Sequence, residues 1–139
     1  MILLDTNVVS ELMRPKCNLV VEQWIDAQIA ETLFLSAISL SELLAGIEIM
    51  PEGRRRHSLR KLLEEVVTRV LGGRVLPFDA PAAHSYATLV AKARKHGLAI
   101  APLDGQIAAI AKVHGFAVAT RDTGPFEAAG VAVIDPWTL

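Results

Sequence analysis

The sequence is poor in cysteine, in aromatic residues and in long apolar runs. Its single Cys17 excludes an intramolecular disulfide and fits a reducing compartment. Aromatic residues make up only 5% of the chain, so Trp24 and Trp137 are expected in the core or an interface, not as base-stacking platforms. No apolar run approaches the roughly 20 residues of a membrane span, and no basic and apolar secretory signal opens the chain. These absences predict a cytoplasmic protein.

Neither sign of charge is in excess. The 139 residues include 14 Lys and Arg against 15 Asp and Glu, for a formal net charge of -1. This balance predicts neither a general nucleic-acid binder nor a membrane-surface protein. Apolar residues reach 52%, which is enough for the core of one domain, so we expect residues 1–139 to form a single domain.

The motifs of several common sites are also missing. The sequence has no G-x-G-x-x-G after its first apolar segment, no G-x-x-x-x-G-K-[ST] and no G-x-S-x-G. Its four histidines and one cysteine lack the spacing of zinc ligands. Dinucleotide binding, P-loop chemistry, an esterase elbow and a zinc site are therefore disfavoured.

Short apolar segments alternate with segments of helical periodicity. The predicted strands are 2–5, 32–37, 74–78, 116–120 and 130–135. The predicted helices are 6–14, 18–30, 39–50, 54–70, 79–95 and 104–114. The alternation predicts a doubly wound α/β fold with a parallel sheet of about five strands and right-handed crossovers.

Four carboxylates stand at the ends of these segments. Asp5 and Asp122 follow strands, whereas Glu42 and Asp104 lie in the first turns of helices. Each has a structural explanation when taken alone. Asp5 and Asp104 could be helix N-caps, Glu42 could pair with Ser39 in an S-x-x-E capping box, and Asp122 could form an Asx-turn.

Taken together, the four carboxylates predict a metal site. The carboxyl ends of parallel strands and the N-termini of the following helices share one edge of the sheet, where such folds bind ligands. Crowded carboxylates repel one another unless a cation neutralises them. An all-oxygen donor set selects Mg²⁺ or Mn²⁺, and such ions suit phosphodiester hydrolysis by metal-activated water.

Two other functions stay open at this point. A haloacid-dehalogenase-type phosphotransferase also has an Asp after its first strand, but it needs a second Asp where this chain has Asn7. A receiver-like or other non-catalytic binding module would use the same edge without turnover. A receiver needs an acid pair after the first strand and a Lys after a late one, whereas this chain has Asp5 alone and Arg121.

Motifs spread over the whole chain occur in an order typical of one family. They are MILLDTNVVSEL, LSAISLSELLAGI, RVLPFD, DGQIAAIAKVHG, VATRD and the PW near the end. The sequence resembles the PIN-domain ribonucleases of the VapC/FitB type, the toxins of bacterial toxin–antitoxin pairs, and FitB-like members most of all. The resemblance implies a PIN-like three-layer α/β/α fold and an endoribonuclease dependent on Mg²⁺ or Mn²⁺.

The same resemblance assigns residues and partners. The catalytic and metal-binding quartet would be Asp5, Glu42, Asp104 and Asp122. Supporting hydroxyl and amide groups would come from Thr6, Asn7 and Thr120. Implied partners are an RNA substrate and an antitoxin with a ribbon-helix-helix DNA-binding part, through which operator DNA is reached. A homodimer and a larger hetero-oligomer with the antitoxin are also implied.

Two basic groups are candidates for contact with an RNA backbone. The first is Arg54, Arg55 and Arg56 at the start of a predicted helix, and the second is Lys92 and Arg94 near the end of another. Both could equally be solvated helix faces, and cations at a helix end interact favourably with its dipole. A negative site nevertheless needs nearby cations if it is to accept phosphates.

Overall fold

A computed structural model describes all 139 residues and contains one parallel sheet. Its strands are β1 (Ile2–Leu4), β2 (Leu33–Ser36), β3 (Val75–Leu76), β4 (Ala117–Ala119) and β5 (Val133–Ile134). The strand order is β3-β2-β1-β4-β5, with Leu3 of the central strand opposite Phe34 on one side and Val118 on the other. The predicted five-stranded parallel sheet is therefore confirmed.

Seven α-helices connect or follow the strands. They are α1 (Thr6–Leu12), α2 (Leu19–Asp26), α3 (Ala37–Glu48), α4 (Arg54–Glu65), α5 (Ala80–Lys95), α6 (Pro102–His114) and α7 (Gly124–Ala128). A 3₁₀ turn at Ala30–Thr32 precedes β2, and α4 continues as a π-helical turn at Val66–Val70. No helix has the length and apolar character needed to cross a membrane.

The helices cover both faces of the sheet. Leu3 and Val118 pack on one face with buried residues of α5, α6 and α7, around Phe126. Leu4 and Ala119 pack on the other face with α1, α3 and α4. Adjacent residues of one strand thus enter opposite cores, as the two-residue period of a strand requires. The result is the three-layer α/β/α arrangement that the sequence predicts.

The start of α3 differs from the prediction. The helix begins at Ala37, and its N-cap is Ser36, whose Oγ accepts the Ser39 N–H at 2.9 Å. Ser39 lies inside the helix, fully buried, with no hydrogen-bond partner for its own hydroxyl. The capping box predicted for Ser39 and Glu42 is therefore wrong, because the last residue of β2 already caps the helix. Glu42 is left free for another role.

The start of α6 shows that Asp104 is not the helix N-cap considered from the sequence. The helix begins at Pro102, a residue whose missing N–H and fixed φ suit the first helical position. Ala101 occupies the N-cap and makes no side-chain bond, so Asp104 is in the first turn and is not a cap. At the other end, Gly115 adopts φ 69° and terminates the helix as predicted.

The switch point of the sheet lies between β1 and β4. From β1 the chain passes through α1 and α2 on one face to reach β2, whereas it reaches β4 through α5 and α6 on the other face. The carboxyl ends of these two neighbouring strands therefore flank a crevice, which is where doubly wound sheets bind ligands.

Candidate active site

A cleft of ≈ 460 Å³ opens at the carboxyl ends of β1 and β4. All four predicted carboxylates line it, contributed by four separate parts of the chain: Asp5, Glu42, Asp104 and Asp122. Thr6 and Asn7 line it too. The structure thus brings together side chains that are up to 117 positions apart.

Asp5 is the most deeply placed of the four. It is 6% exposed and ends β1 directly before α1. Its Oδ1 accepts the Thr6 N–H at 2.8 Å, so it is the N-cap of α1. Its Oδ2 accepts the Thr120 hydroxyl at 2.8 Å and the Asn7 amide at 3.4 Å. The capping role and the place in the cleft are therefore compatible, because Oδ1 caps the helix while Oδ2 bonds to Thr120 and Asn7.

Thr120 joins the segment after β4 to the start of α1. Its buried hydroxyl donates to Asp5 and accepts the Asn7 amide at 3.1 Å and the Asp122 N–H at 3.1 Å. The Asn7 Oδ1 accepts the Arg121 N–H at 3.3 Å. The Asx-turn considered for Asp122 is wrong, because the Thr120 side chain makes the turn bond instead. These bonds fix the backbone on both sides of the cleft.

Glu42 is held from α1. The Thr6 hydroxyl donates to its Oε1 at 3.0 Å, while the Thr6 N–H is bonded to Asp5. Thr6 therefore contacts two carboxylates at once and sets their separation.

The side-chain carboxylates of Asp104 and Asp122 accept no hydrogen bond from the protein, although both line the cleft. Burial raises the pKa of Asp104 above its usual range, and the negative charges of Asp122 and Glu42 raise it further. Burial also raises the pKa of Asp5, against the opposing hydrogen bonds from Thr120 and Thr6. The carboxylates of the cleft therefore repel one another, and a bound cation would reduce this repulsion.

The donor set of the cleft fits a hard divalent cation. Five carboxylates line it, including Glu11, and the only cations beside them are Arg14 and Arg121. No histidine or cysteine takes part. As the side chains stand, no three acidic or imidazole groups close around one point. The carboxylate oxygens of Asp104 and Asp122 are engaged by no hydrogen bond or ion pair of the protein, so they are available as ligands in the cleft.

Five residues of the cleft were missed by sequence reasoning: Ser10, Glu11, Arg14, Arg121 and Trp137. The first three follow Asn7 at spacings of three, four and seven, which place them on one helical face, and this signal could have found them. Glu11 is buried, accepts the Asn18 N–H at 2.8 Å and pairs with Arg14 at 3.3 Å. Trp137, expected in the core or an interface, is half-buried in the cleft wall.

The basic run at the start of α4 is only partly available to a substrate. Arg56 bonds Glu48 at 2.6 Å, and Arg60 bonds the same carboxylate at 2.7 Å. Arg55 lines a second groove of ≈ 310 Å³ that shares Glu42 with the cleft. Arg54 is exposed. A role of these arginines in RNA binding stays a prediction.

The second basic group lies away from the carboxylates. Lys92 lines a depression with Lys112, near the C-terminal end of α6, and Arg94 lines another with Leu98. Asp104 lies at the N-terminal end of the same α6. The structure does not bring Lys92 or Arg94 into the cleft, and contact with RNA there also stays a prediction.

Comparison with known proteins gives one consistent family. A family model described as the PIN domain matches residues 2–131. The VapC ribonuclease Y4jK of Sinorhizobium fredii is 55% identical over 99% of this chain and 98% of its own length. Toxin FitB of Neisseria gonorrhoeae is 49% identical over 99% of each chain.

Solved structures agree with the sequence relatives. The crystal structure of FitAcB from Neisseria gonorrhoeae contains a chain that is 49% identical, with a TM-score of 0.93 and full coverage of both chains. The structure of FitAB bound to an IR36 DNA fragment contains a chain that is 47% identical, again with a TM-score of 0.93, over 100% of this chain and 97% of that one.

Proposed function

This chain belongs to the PIN-domain family as a ribonuclease toxin of the VapC/FitB type, and on that premise we propose that its four cleft carboxylates hold a divalent cation for hydrolysis of RNA. The observation that carries the proposal is the convergence of Asp5, Glu42, Asp104 and Asp122 in one cleft without an imidazole or thiol. Nucleases of this family are generally dependent on divalent metals. The all-oxygen donor set favours Mg²⁺ or Mn²⁺.

The protein's own contribution is to position charge before the substrate arrives. A bound Mg²⁺ or Mn²⁺ would supply charge neutralisation at the phosphate and a more acidic water. Thr120 and the Thr6 N–H fix the two oxygens of Asp5, and the Thr6 hydroxyl fixes Glu42. Asn7 anchors the backbone of the opposite wall through Arg121. Hydrolysis forms a bond between the water oxygen and phosphorus and breaks one bond between phosphorus and a ribose oxygen. The departing ribose oxygen takes up a proton and leaves as a hydroxyl group.

The chain is the toxin of a toxin–antitoxin pair and has an antitoxin as its partner. We propose that this antitoxin carries a ribbon-helix-helix part, that operator DNA is contacted through it, and that the toxin forms a homodimer within a larger hetero-oligomer. We further propose that residues 1–139 act as one PIN domain in the cytoplasm, where RNA is available and Cys17 stays reduced.

The test is a cleavage assay with matched nucleic acids. Total bacterial RNA and single-stranded DNA of random sequence are incubated with the purified chain and Mg²⁺ or Mn²⁺, and new 5′ ends are mapped by sequencing. We expect discrete new ends in RNA only, and none when a chelator is present. Absence of cleavage with both ions would favour a non-catalytic module, and labelling of Asp5 by acetyl phosphate would favour a phosphotransferase.

Replacing Thr120 by valine should slow RNA cleavage about 10- to 100-fold, the usual effect of losing a group that orients a metal ligand. Valine keeps the shape of the side chain but removes the hydroxyl that contacts Asp5, Asn7 and the Asp122 N–H. Because these buried groups lose their partner, we also expect a loss of about 1–3 kcal/mol in the free energy of unfolding.

Thr88→Val is the matched control, because the Thr88 hydroxyl contacts only the His84 carbonyl on the exposed face of α5. A metal titration separates positioning from stability. At a temperature where both variants are folded, Thr120→Val should need more Mg²⁺ for half-maximal rate. An unchanged metal requirement would argue against the positioning role of Thr120.

A further inference from the structure

Arg121 is a cation that has no carboxylate partner although it lies among carboxylates. It lines the cleft together with Asp5, Asp104 and Asp122, yet its guanidinium is in no ion pair and donates no hydrogen bond to the protein. The other cleft cation, Arg14, is paired with Glu11. The N–H donors of Arg121 are therefore the available positive donors in this wall of the cleft.

The ring of Trp137 holds this guanidinium in place. The Arg121 Cζ lies 5.3 Å from the centre of the Trp137 ring, within the range of a cation–π contact. The backbone of Arg121 is fixed from the other side by Asn7, and the backbone N–H of Trp137 donates to Asp135 Oδ1 at 3.0 Å. Arg121 is thus anchored at both ends, and a guanidinium that stacks on one face keeps its in-plane donors free.

The charge of the cleft requires such a group. Five carboxylates against two arginines leave an excess of negative charge, and one of those arginines is already engaged. A polyanion that approaches the carboxylates meets repulsion that one divalent ion reduces only locally. A planar guanidinium can bind two phosphate oxygens at once and fix the direction of the strand.

We propose that Arg121 binds a backbone phosphate of the RNA substrate at the wall of the cleft, with Trp137 as the residue that positions it. The inference rests on the proposed function, since it places the substrate of that site. It assigns phosphate contact to Arg121, in the segment after β4, and the positioning of that side chain to Trp137. The basic run on α4, in contrast, has Arg56 engaged by Glu48.

The experiment measures RNA binding separately from cleavage. Fluorescence anisotropy follows a labelled 20-nucleotide single-stranded RNA of random sequence, and separately total tRNA as competitor, with Ca²⁺ present because its looser coordination suits binding rather than turnover. Dissociation constants are taken over a series of KCl concentrations. The variants are Arg121→Ala, Arg121→Lys, Trp137→Ala and the double alanine variant. Arg69→Ala is the control, since Arg69 is exposed and outside the cleft.

We expect Arg121→Ala to weaken binding about 10- to 100-fold, as for a lost hydrogen bond to a charged group. The slope of log Kd against log salt should fall by about 0.7, the value for one phosphate contact on a single strand. Arg121→Lys should keep the slope but lose part of the affinity. Arg69→Ala should bind like the parent chain.

The positioning role of Trp137 is tested by comparing the effect of Trp137→Ala in the parent chain with its effect in the Arg121→Ala variant. Trp137→Ala should weaken binding about 3- to 30-fold, the size of a cation–π contact, and should add little once Arg121 is already alanine. Additive effects would overturn the positioning role. Parent-like binding by Arg121→Ala, or no binding by the parent chain, would overturn the phosphate site. Binding that depends on Arg121 without cleavage of any RNA would leave this inference standing and contradict the proposed function.

Discussion

Asp5→Asn should lower the rate of RNA cleavage by at least about 10³-fold, above the roughly 10- to 100-fold effect of residues that only support a ligand. Asparagine keeps the size of the side chain but replaces an anionic oxygen by an amide nitrogen that cannot ligate a hard cation. Since Asp5 is the most buried carboxylate of the cleft, no neighbour can take its place. Expression of the variant should no longer arrest growth.

The fold should survive this change. The asparagine oxygen can still accept the Thr6 N–H and cap α1, since Asn and Asp are about equal as N-caps. The Thr120 hydroxyl, which now donates to Asp5, can turn its hydrogen to the Asp122 carbonyl at 3.5 Å. Without divalent cation at neutral pH, the variant should unfold at a temperature equal to or above that of the parent chain, because a buried charge has been removed.

The matched control is Asp26→Asn at the end of α2, an exposed aspartate outside the cleft. It makes the same chemical change and should leave cleavage and growth arrest intact. Circular dichroism and thermal unfolding verify that both variants fold. Cleavage by Asp5→Asn at a rate near that of the parent chain would contradict the assignment of Asp5 as a metal ligand.

The sheet and the convergence of the acids were predictable from local pattern. Short apolar runs alternating with helical periodicity define the parallel sheet, and the strand-end rule then places Asp5 and Asp122 at one edge. Cap positions were less predictable, because two serines, Ser36 and Ser39, compete for the start of α3 and only the end of β2 decides between them.

The contacts missed from the sequence are those between distant segments. Trp137 contacts Arg121, 16 positions away in the sequence, and Thr6 contacts Glu42, 36 positions away. Neither contact produces a periodic pattern in the sequence. The bond between Arg56 and Glu48 likewise depends on how α3 packs on α4. The spacing of residues along the sequence predicts which face of a helix or strand a side chain occupies. Which residue of another element it contacts depends on tertiary packing.

Divalent cations should stabilise the chain strongly at neutral pH and weakly in acid. Burial raises the pKa of Asp5 and of Asp104 in the folded chain, and the neighbouring carboxylates add to the shift. Between the ordinary Asp pKa and the raised one, the folded chain holds protons that the unfolded chain has released. Without metal, this part of the stability is therefore present below the ordinary pKa and is lost as pH rises through the raised pKa.

A cation and protons relieve the same repulsion, so they compete. At pH 7.5, far above the ordinary Asp pKa, Mg²⁺ at about 100 times its Kd should add about 2.7 kcal/mol to the free energy of unfolding. For a chain of this length that is a rise of about 10 °C in Tm. As pH falls towards the ordinary Asp pKa, protons bind to Asp5 and Asp104, whose pKa values are raised in the folded chain, and the rise in Tm should disappear.

Differential scanning calorimetry with Mg²⁺ and with NaCl of equal ionic strength measures this effect over a series of pH values. NaCl should reproduce little of it, because screening acts weakly on buried charges. Asp5→Asn should lose most of the Mg²⁺-dependent rise, whereas Asp26→Asn should keep it. A rise in Tm that grew as pH fell, or that Asp5→Asn retained in full, would mean that the ion binds elsewhere. The coupling of metal, proton and stability at one cleft follows from the burial of Asp5 at the end of a strand, because that burial makes the unliganded carboxylate unfavourable.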